Sequence, residues 1–263
     1  IELAHRFDQG NKYFYLLAAT IYNSLGRFDK AARSYESMID RIKGTEEYLY
    51  EVAAVYQYAG QPEEAVKAYN RAEAVFGVNE VSSIQKVKLL FEAGKSDEAV
   101  AEGEKLIKAF PAEERYIVAF TELISKKGLR DQAIRYLEDF LKTNPEAGSV
   151  KMLLAGFYRD TGQEEKARPY LLSLFDDQSI ELTSKLIVLG AYNAELNQNK
   201  TTKALDPDKE AFATRLYEKL KTAYPGDANV HIIGGDLYLS TGKNREAHAE
   251  YLKAVESGAP VNF

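Results

Sequence analysis

Large apolar side chains recur along this chain at a fixed interval. They stand at Tyr22, Tyr56, Leu90, Ile124, Tyr158 and Tyr192, each 34 residues after the last. Glycines follow with the same spacing at Gly26, Gly60, Gly94, Gly128 and Gly162, and alanines at Ala31, Ala65, Ala99, Ala133 and Ala167. Each glycine closes an amphipathic stretch, where a chain leaving a helix needs a positive φ that glycine reaches most easily. Each alanine comes early in the next stretch, where a small side chain lets two helix backbones approach. Between them lie turn and cap residues such as Asp29, Gln61-Pro62-Glu63, Ser96-Asp97 and Asp131. Acidic groups there suit the positive end of a helix dipole. The pattern predicts a helix, a tight turn and a second helix, repeated along the chain without strands.

The glycine and alanine return at Gly242 and Ala247, displaced by 80 residues, which is two periods plus 12. The extra residues fall in the sixth unit. Its first helix reads from about 182 to 196, and the polar run from Asn197 to Leu205 then lacks helical periodicity. Asp206 and Pro207 supply an N-cap and a first-turn proline for the second helix. The run is expected as part of a 12-residue insertion between the two helices. Lengthening such a connection costs only about 0.6 kcal/mol per doubling, so the insertion needs no binding role to be tolerated.

A 34-residue helix pair with these aromatic, small and proline positions resembles the tetratricopeptide repeat. Numbered from the first residue of each unit, the tyrosine of position 11 is Tyr22, Tyr56, Tyr158, Tyr192 and Tyr238. The large residue of position 24 is Tyr35, Tyr69, Leu137, Leu171, Tyr217 and Tyr251, and the proline of position 32 is Pro111, Pro145 and Pro225. The tryptophan of position 4 is missing throughout. The resemblance implies an all-α, right-handed superhelical solenoid of antiparallel helix pairs, a single domain of seven repeats. Their spans are 12–45, 46–79, 80–113, 114–147, 148–181, 182–227 and 228–261, with 1–11 as the end of a preceding repeat. Position 24 of the third unit is Gly103, and Phe120 at position 7 of the fourth is expected to fill the space it leaves.

Counting back one period from Met38 lands on Ala4, so 1–8 reads as the last turns of a preceding second helix, and 261–263 would begin an eighth unit. The chain also starts without methionine. It is therefore expected to be part of a longer bacterial protein, with uncapped ends open to self-association.

Composition narrows the function. Of 263 residues, 45% are hydrophobic, enough to bury a substantial core. The 40 acidic side chains outnumber the 34 basic ones, giving a net charge of -6 that argues against a nucleic-acid partner. No cysteine is present, which removes disulfides, thiolate nucleophiles and cysteine metal sites. No run of about 18 apolar residues predicts a membrane span. The compartment stays open between cytoplasm and periplasm.

The resemblance implies an inner groove lined by the first helices at positions 2, 5, 9, 12 and 13. Position 5 is Leu16, Tyr50, Ile84, Val118, Met152, Leu186 and Ile232, apolar in every unit. Tyr13, Tyr58 and Phe91 fall beside it, as do the cations Lys88, Arg115, Lys126 and Arg159. Such a groove suits an amphipathic helix or an extended peptide, and the cations suit a partner's carboxylate. The expected function is a protein-interaction scaffold or adaptor. The alternatives are a structural or self-assembling segment of a longer solenoid, and a small-molecule or carbohydrate module, which would need a deep pocket.

Relatives that grip the acidic C-termini of heat-shock chaperones carry lysine, arginine and asparagine at set groove positions. Here those positions hold Leu16, Thr20, Glu51, Val81 and Gln85, so that carboxylate clamp is absent. The histidines His5, His231 and His248 are far apart, and no zinc-protease, nucleophile-elbow or phosphate-loop motif occurs. The sequence assigns no catalytic residue, metal ligand or cofactor.

Overall fold

The computed structural model describes residues 10–202 and 206–258. The chain divides into two compact units, Ile1–Pro145 and Glu146–Phe263. Among the described residues there are fourteen α-helices and no strand. The first unit holds α1 (Lys12–Ser24), α2 (Phe28–Arg41), α3 (Leu49–Tyr58), α4 (Pro62–Phe76), α5 (Glu80–Glu92), α6 (Ser96–Ala109), α7 (Glu114–Lys126) and α8 (Arg130–Thr143). A 3-10 turn at Glu46–Tyr48 leads into α3. The second unit holds α9 (Gly148–Asp160), α10 (Glu164–Asp176), α11 (Leu182–Thr202), α12 (Pro207–Ala223), α13 (Ala228–Ser240) and α14 (Asn244–Glu256). None of them is long and apolar enough to cross a membrane. The expected helices at 1–8 and at 261–263 lie outside the described residues.

Each tight turn is built the same way. Gly26 has φ +67°, its N–H donates to the Asn23 carbonyl, and the Arg27 N–H donates to the Tyr22 carbonyl at 2.8 Å. The second bond reaches back five residues and satisfies a carbonyl the helix would otherwise leave unpaired. It recurs at Gln61 to Tyr56, Lys95 to Leu90, Leu129 to Ile124, Gln163 to Tyr158 and Lys243 to Tyr238. The apolar residue that starts the 34-residue rhythm is thus also the acceptor that ends its helix. Because the connectors are so short, α1 and α2, α5 and α6, α7 and α8, α9 and α10, and α13 and α14 pack as antiparallel neighbours.

The sixth unit corrects the sequence reading. One period after Gly162 stands Leu196, not glycine, and Leu196 is fully buried. With no residue suited to a positive φ, α11 runs on through Thr202, so 197–202 is helix rather than loop. The first part of the polar run thus continues the helix, and its remainder, 203–205, lies outside the described residues. Asp206 does cap α12, its carboxylate accepting from the N–H groups of Asp208 and Lys209 at 3.1 Å, with Pro207 in the first turn.

Packing within each unit trades large residues against small ones. Ala31, Ala65, Ala99, Ala133, Ala167, Ala213 and Ala247 are all buried, each early in a second helix. Phe120 is fully buried, and its ring occupies the space where a side chain at Gly103 would stand. The exchange is reversed in the second unit, where the Tyr217 ring occupies the side-chain space of Gly234 and the Tyr251 ring that of Gly235. Charge is buried too. The Lys86 ammonium, on α5, lies 2.7 Å from Glu102 of α6 and pairs with Glu73 of α4, which also takes Lys105 of α6. Burial pushes the Glu73 carboxyl up, but its bonds to Lys105 and Lys86 hold it below the usual range.

Replacing Gly103 by alanine tests this packing. Alanine gains about 0.8–1 kcal/mol of helix propensity, yet overpacking against the ring costs roughly 1–3 kcal/mol, so Gly103→Ala is expected to destabilise. Phe120→Ala should lose about 3–5 kcal/mol. The double variant should lose less than the sum, because the new methyl then enters vacated space. Urea unfolding of the four proteins measures it, and additive losses would show that the two positions do not share that space.

Candidate functional site

The first helices of the first unit carry most of the side chains expected in a groove. Leu16 on α1, Tyr50 on α3, Ile84 on α5 and Val118 on α7 are half-buried, neither sealed in the core nor open to water. The Tyr50 ring stacks on Phe76 at 5.9 Å, and its hydroxyl accepts from Asn79 at 3.3 Å. Tyr13 at the start of α1 is 69% exposed and Tyr58 at the end of α3 is 79% exposed. Leu17 and Val81 are exposed as well. Phe91 is half-buried, with the Lys127 ammonium 5.8 Å from its ring centre.

The expected cations separate into committed and uncommitted groups. Arg115 lies 2.9 Å from Glu80 and stacks over Tyr116, so its charge is already answered. Lys88 and Lys126 are exposed and form no ion pair among the described residues.

In the second unit, Met152, Leu186 and Ile232 are likewise half-buried on α9, α11 and α13. Arg159 at the end of α9 lies in a cleft of about 560 Å³ walled by α9, α10, α11 and the start of α12. Its guanidinium pairs with Glu195, lies 3.6 Å from Glu164 and sits over the Tyr192 ring at 4.1 Å. Lys209 shares Glu195 at 2.6 Å, and Arg168 takes Glu165 at 2.7 Å. Asp160, Asp206 and Asp208 also line the cleft, so carboxylates outnumber cations there. Burial pushes the Tyr192 phenol up, and its bond to Glu164 adds to that. Arg159 is therefore a held residue inside an acid-rich cleft. It is not a free anchor for a partner's carboxylate. Among the described residues no group of three side chains gathers to hold a metal ion.

The sequence matches the tetratricopeptide repeat over residues 13–41 and again over 125–178. Those stretches coincide with the helices and glycine turns just described. Those two stretches carry the tetratricopeptide repeat. Among solved structures it is similar to the C-terminal part of a tetratricopeptide-repeat protein from Cytophaga hutchinsonii, at 14% identity over 93% of this chain and 95% of that one, with a TM-score of 0.53. A tetratricopeptide-repeat protein from Parabacteroides merdae is similar at 15% identity over 95% and 94%, with a TM-score of 0.45. YrrB, described as having an unusual peptide-binding site, is similar at 15% identity over 70% and 94%, with a TM-score of 0.41. At these identities the likeness concerns the fold. No curated protein matches the chain.

The tetratricopeptide register brings out a feature the sequence reading passed over. Position 4, the tryptophan site, is filled in the second unit by Lys151, Lys185 and His231, all buried. The Lys185 ammonium donates to the Asp177 carbonyl at 2.7 Å just past the end of α10, where a cation suits the helix dipole. Burial pushes that ammonium down from its ordinary value. Lys151 reaches Ser173 at 3.2 Å. The His231 ring bridges Glu250 at 2.7 Å and the Pro225 carbonyl at 3.0 Å. Three polar residues in a row at one apolar position would have been a readable signal.

Glu250 gathers that end of the unit. Burial pushes its carboxyl up, but the His231 ring, the Tyr217 hydroxyl and the Lys221 and Lys253 ammonium groups outweigh this and hold it at about 2. In the unfolded chain it titrates near 4.3. Since the folded value is the lower one, its contribution is present above about pH 4.3 and is lost as pH falls toward 2, and it amounts to roughly 3 kcal/mol. Glu250→Gln is therefore expected to be less stable than wild type at pH 6, with the gap narrowing as pH falls from 5 to 2. Urea midpoints across that range measure it. A gap that stays constant would show that the carboxylate charge is not what the site uses.

Proposed function

We propose that this chain is a non-catalytic scaffold that holds segments of partner proteins against the first helices of its repeats. The observation that carries the proposal is the set of large apolar side chains left open on those helices in the first unit. Tyr13, Leu17, Tyr58 and Val81 are exposed there, and Leu16, Tyr50, Ile84, Phe91 and Val118 are half-buried on the same helices. Exposed apolar side chains concentrated on a few elements suit an interaction surface, and a peptide helix or extended strand offers the matching anchors. Lys88 adds a cation with no partner of its own among the described residues. In the second unit, Met152, Leu186 and Ile232 offer a similar row, and the proposed site includes Arg115 and Arg159 as ion-paired edges rather than free anchors.

Peptides selected from a displayed random library on the whole chain provide the test. The expected binders carry hydrophobic anchors and bind Tyr13→Ser or Tyr58→Ser at least about tenfold more weakly, a loss of about 1.4 kcal/mol. Both positions are exposed, so circular dichroism should show the fold intact. Leu252→Ser, on the exposed face of α14, should leave affinity unchanged. Binders that lose affinity on Leu252→Ser but not on the tyrosine variants would place the surface on the second helices instead.

A further inference from the structure

Position 4 of the fifth, sixth and seventh repeats holds Lys151, Lys185 and His231, each of them buried. Lys185 donates to a carbonyl just past the end of the preceding helix, that of Asp177 after α10. His231 reaches the matching place after α12, where its Nε2 lies 3.0 Å from the Pro225 carbonyl. A lysine keeps its charge near neutral pH, whereas a histidine changes charge between about pH 5 and 8.

The partners of His231 decide which form the ring takes. Its Nδ1 lies 2.7 Å from Glu250 Oε2. The other carboxylate oxygen takes the Lys221 and Lys253 ammonium groups, each at 3.2 Å, so Glu250 is ionised and has no proton to give. The Pro225 carbonyl has none either. Both ring nitrogens therefore face oxygens that only accept, and each must carry a proton to make its bond. A neutral ring would leave one lone pair aimed at an oxygen, on a side chain only 5% exposed.

The surrounding charges act in both directions. The Glu250 carboxylate favours the second proton, as does the Pro225 carbonyl beyond the C-terminal end of α12. Lys221 of α12, Lys253 of α14 and the N-terminal end of α13 oppose it. On α12, Glu218 lies 4.0 Å from Lys221, and the Tyr217 hydroxyl faces Glu250. In the connector, Asp227 is engaged by the Asn229 and Val230 N–H groups. From α11, the residues that meet α13 near Ile233 and Asp236 are Gly190, Asn193, Ala194 and Asn197, none of which titrates. The two ammonium groups sit on the far oxygen of Glu250, so the oxygens touching the ring decide.

We propose that His231 is a pH-sensitive latch, which ties the 224–227 connector to α14 while both ring nitrogens are protonated. Losing one proton opens the bond to Pro225 or the bond to Glu250. Only the folded chain uses the second proton. The stability the latch adds is therefore present at the acid end of the imidazole range and is lost as pH rises through it.

The test compares the whole chain with His231→Lys, which places the cation of the two preceding repeats at position 4. Between pH 5.5 and 8.5, the wild-type unfolding constant should rise at least about tenfold more than that of the variant, read from urea unfolding. In proton-coupled 15N spectra of histidine-labelled wild type at pH 6, both ring nitrogens of His231 should carry a proton. As pH rises, the Gly226 and Asp227 amides should shift in step with that ring. These spectra decide the matter should His231→Lys fail to fold. His248→Gln, at an exposed position on α14, should change none of these results.

A His231 ring with a single N–H at pH 6 would overturn the proposal. So would parallel stability curves for wild type and a folded His231→Lys, or connector amides that do not follow the ring.

Discussion

One backbone hydrogen bond governs the shape of six of the seven helix pairs among the described residues: the N–H after each turn glycine donates to a carbonyl five residues earlier. It ends a helix at a fixed residue and turns the chain straight back, so the next helix has no choice but to pack on the last. The bond needs a residue at positive φ, and glycine meets that need without steric penalty. Where the period puts Leu196 in that place, the bond is not made and α11 continues for another turn and a half through Thr202. The regular pairs and the one irregular pair follow from the same rule.

Given those turns, the interior is filled by exchange of volume between neighbouring helices. Close packing leaves little tolerance for either a void or a clash. Gly103 yields its space to Phe120, whereas Gly234 and Gly235 yield theirs to Tyr217 and Tyr251. A glycine that weakens its own helix thereby lets a neighbouring ring pack into its space. The same economy applies to charge. Lys86 is fully buried, but Glu73 and Glu102 answer it, and Lys105 pairs with Glu73 as well.

Much of this was legible in the sequence, because turns and small buried residues are local signals that repeat. The glycine and alanine register gave the helix pairs, Asp206 and Pro207 gave the start of α12, and the mismatch of Gly103 with its position gave Phe120. The extent of α11 was misread because polar composition was weighed above the missing glycine at Leu196. The states of Arg115 and Arg159 were not legible, since Glu80 lies 35 residues from one and Glu195 lies 36 from the other. The state of the Asn193 amide was hidden for a similar reason, since only the fold shows that its nitrogen donates to the Ile233 carbonyl while its buried oxygen has no donor.

The cluster at Lys86 has a meaning for how this chain could have been assembled. Its periodicity invites the view that any unit could be copied, removed or reordered at the 34-residue boundary. Yet Glu73 belongs to the second 34-residue repeat, while Lys86, Glu102 and Lys105 belong to the third. A cut between them leaves one carboxylate on one side and surplus positive charge on the other. That boundary acts as a keyed joint in a row of otherwise similar modules. A chain cut or spliced at that joint would have to replace these side chains to keep its charge in balance, a demand the joint adds to the common repeat pattern.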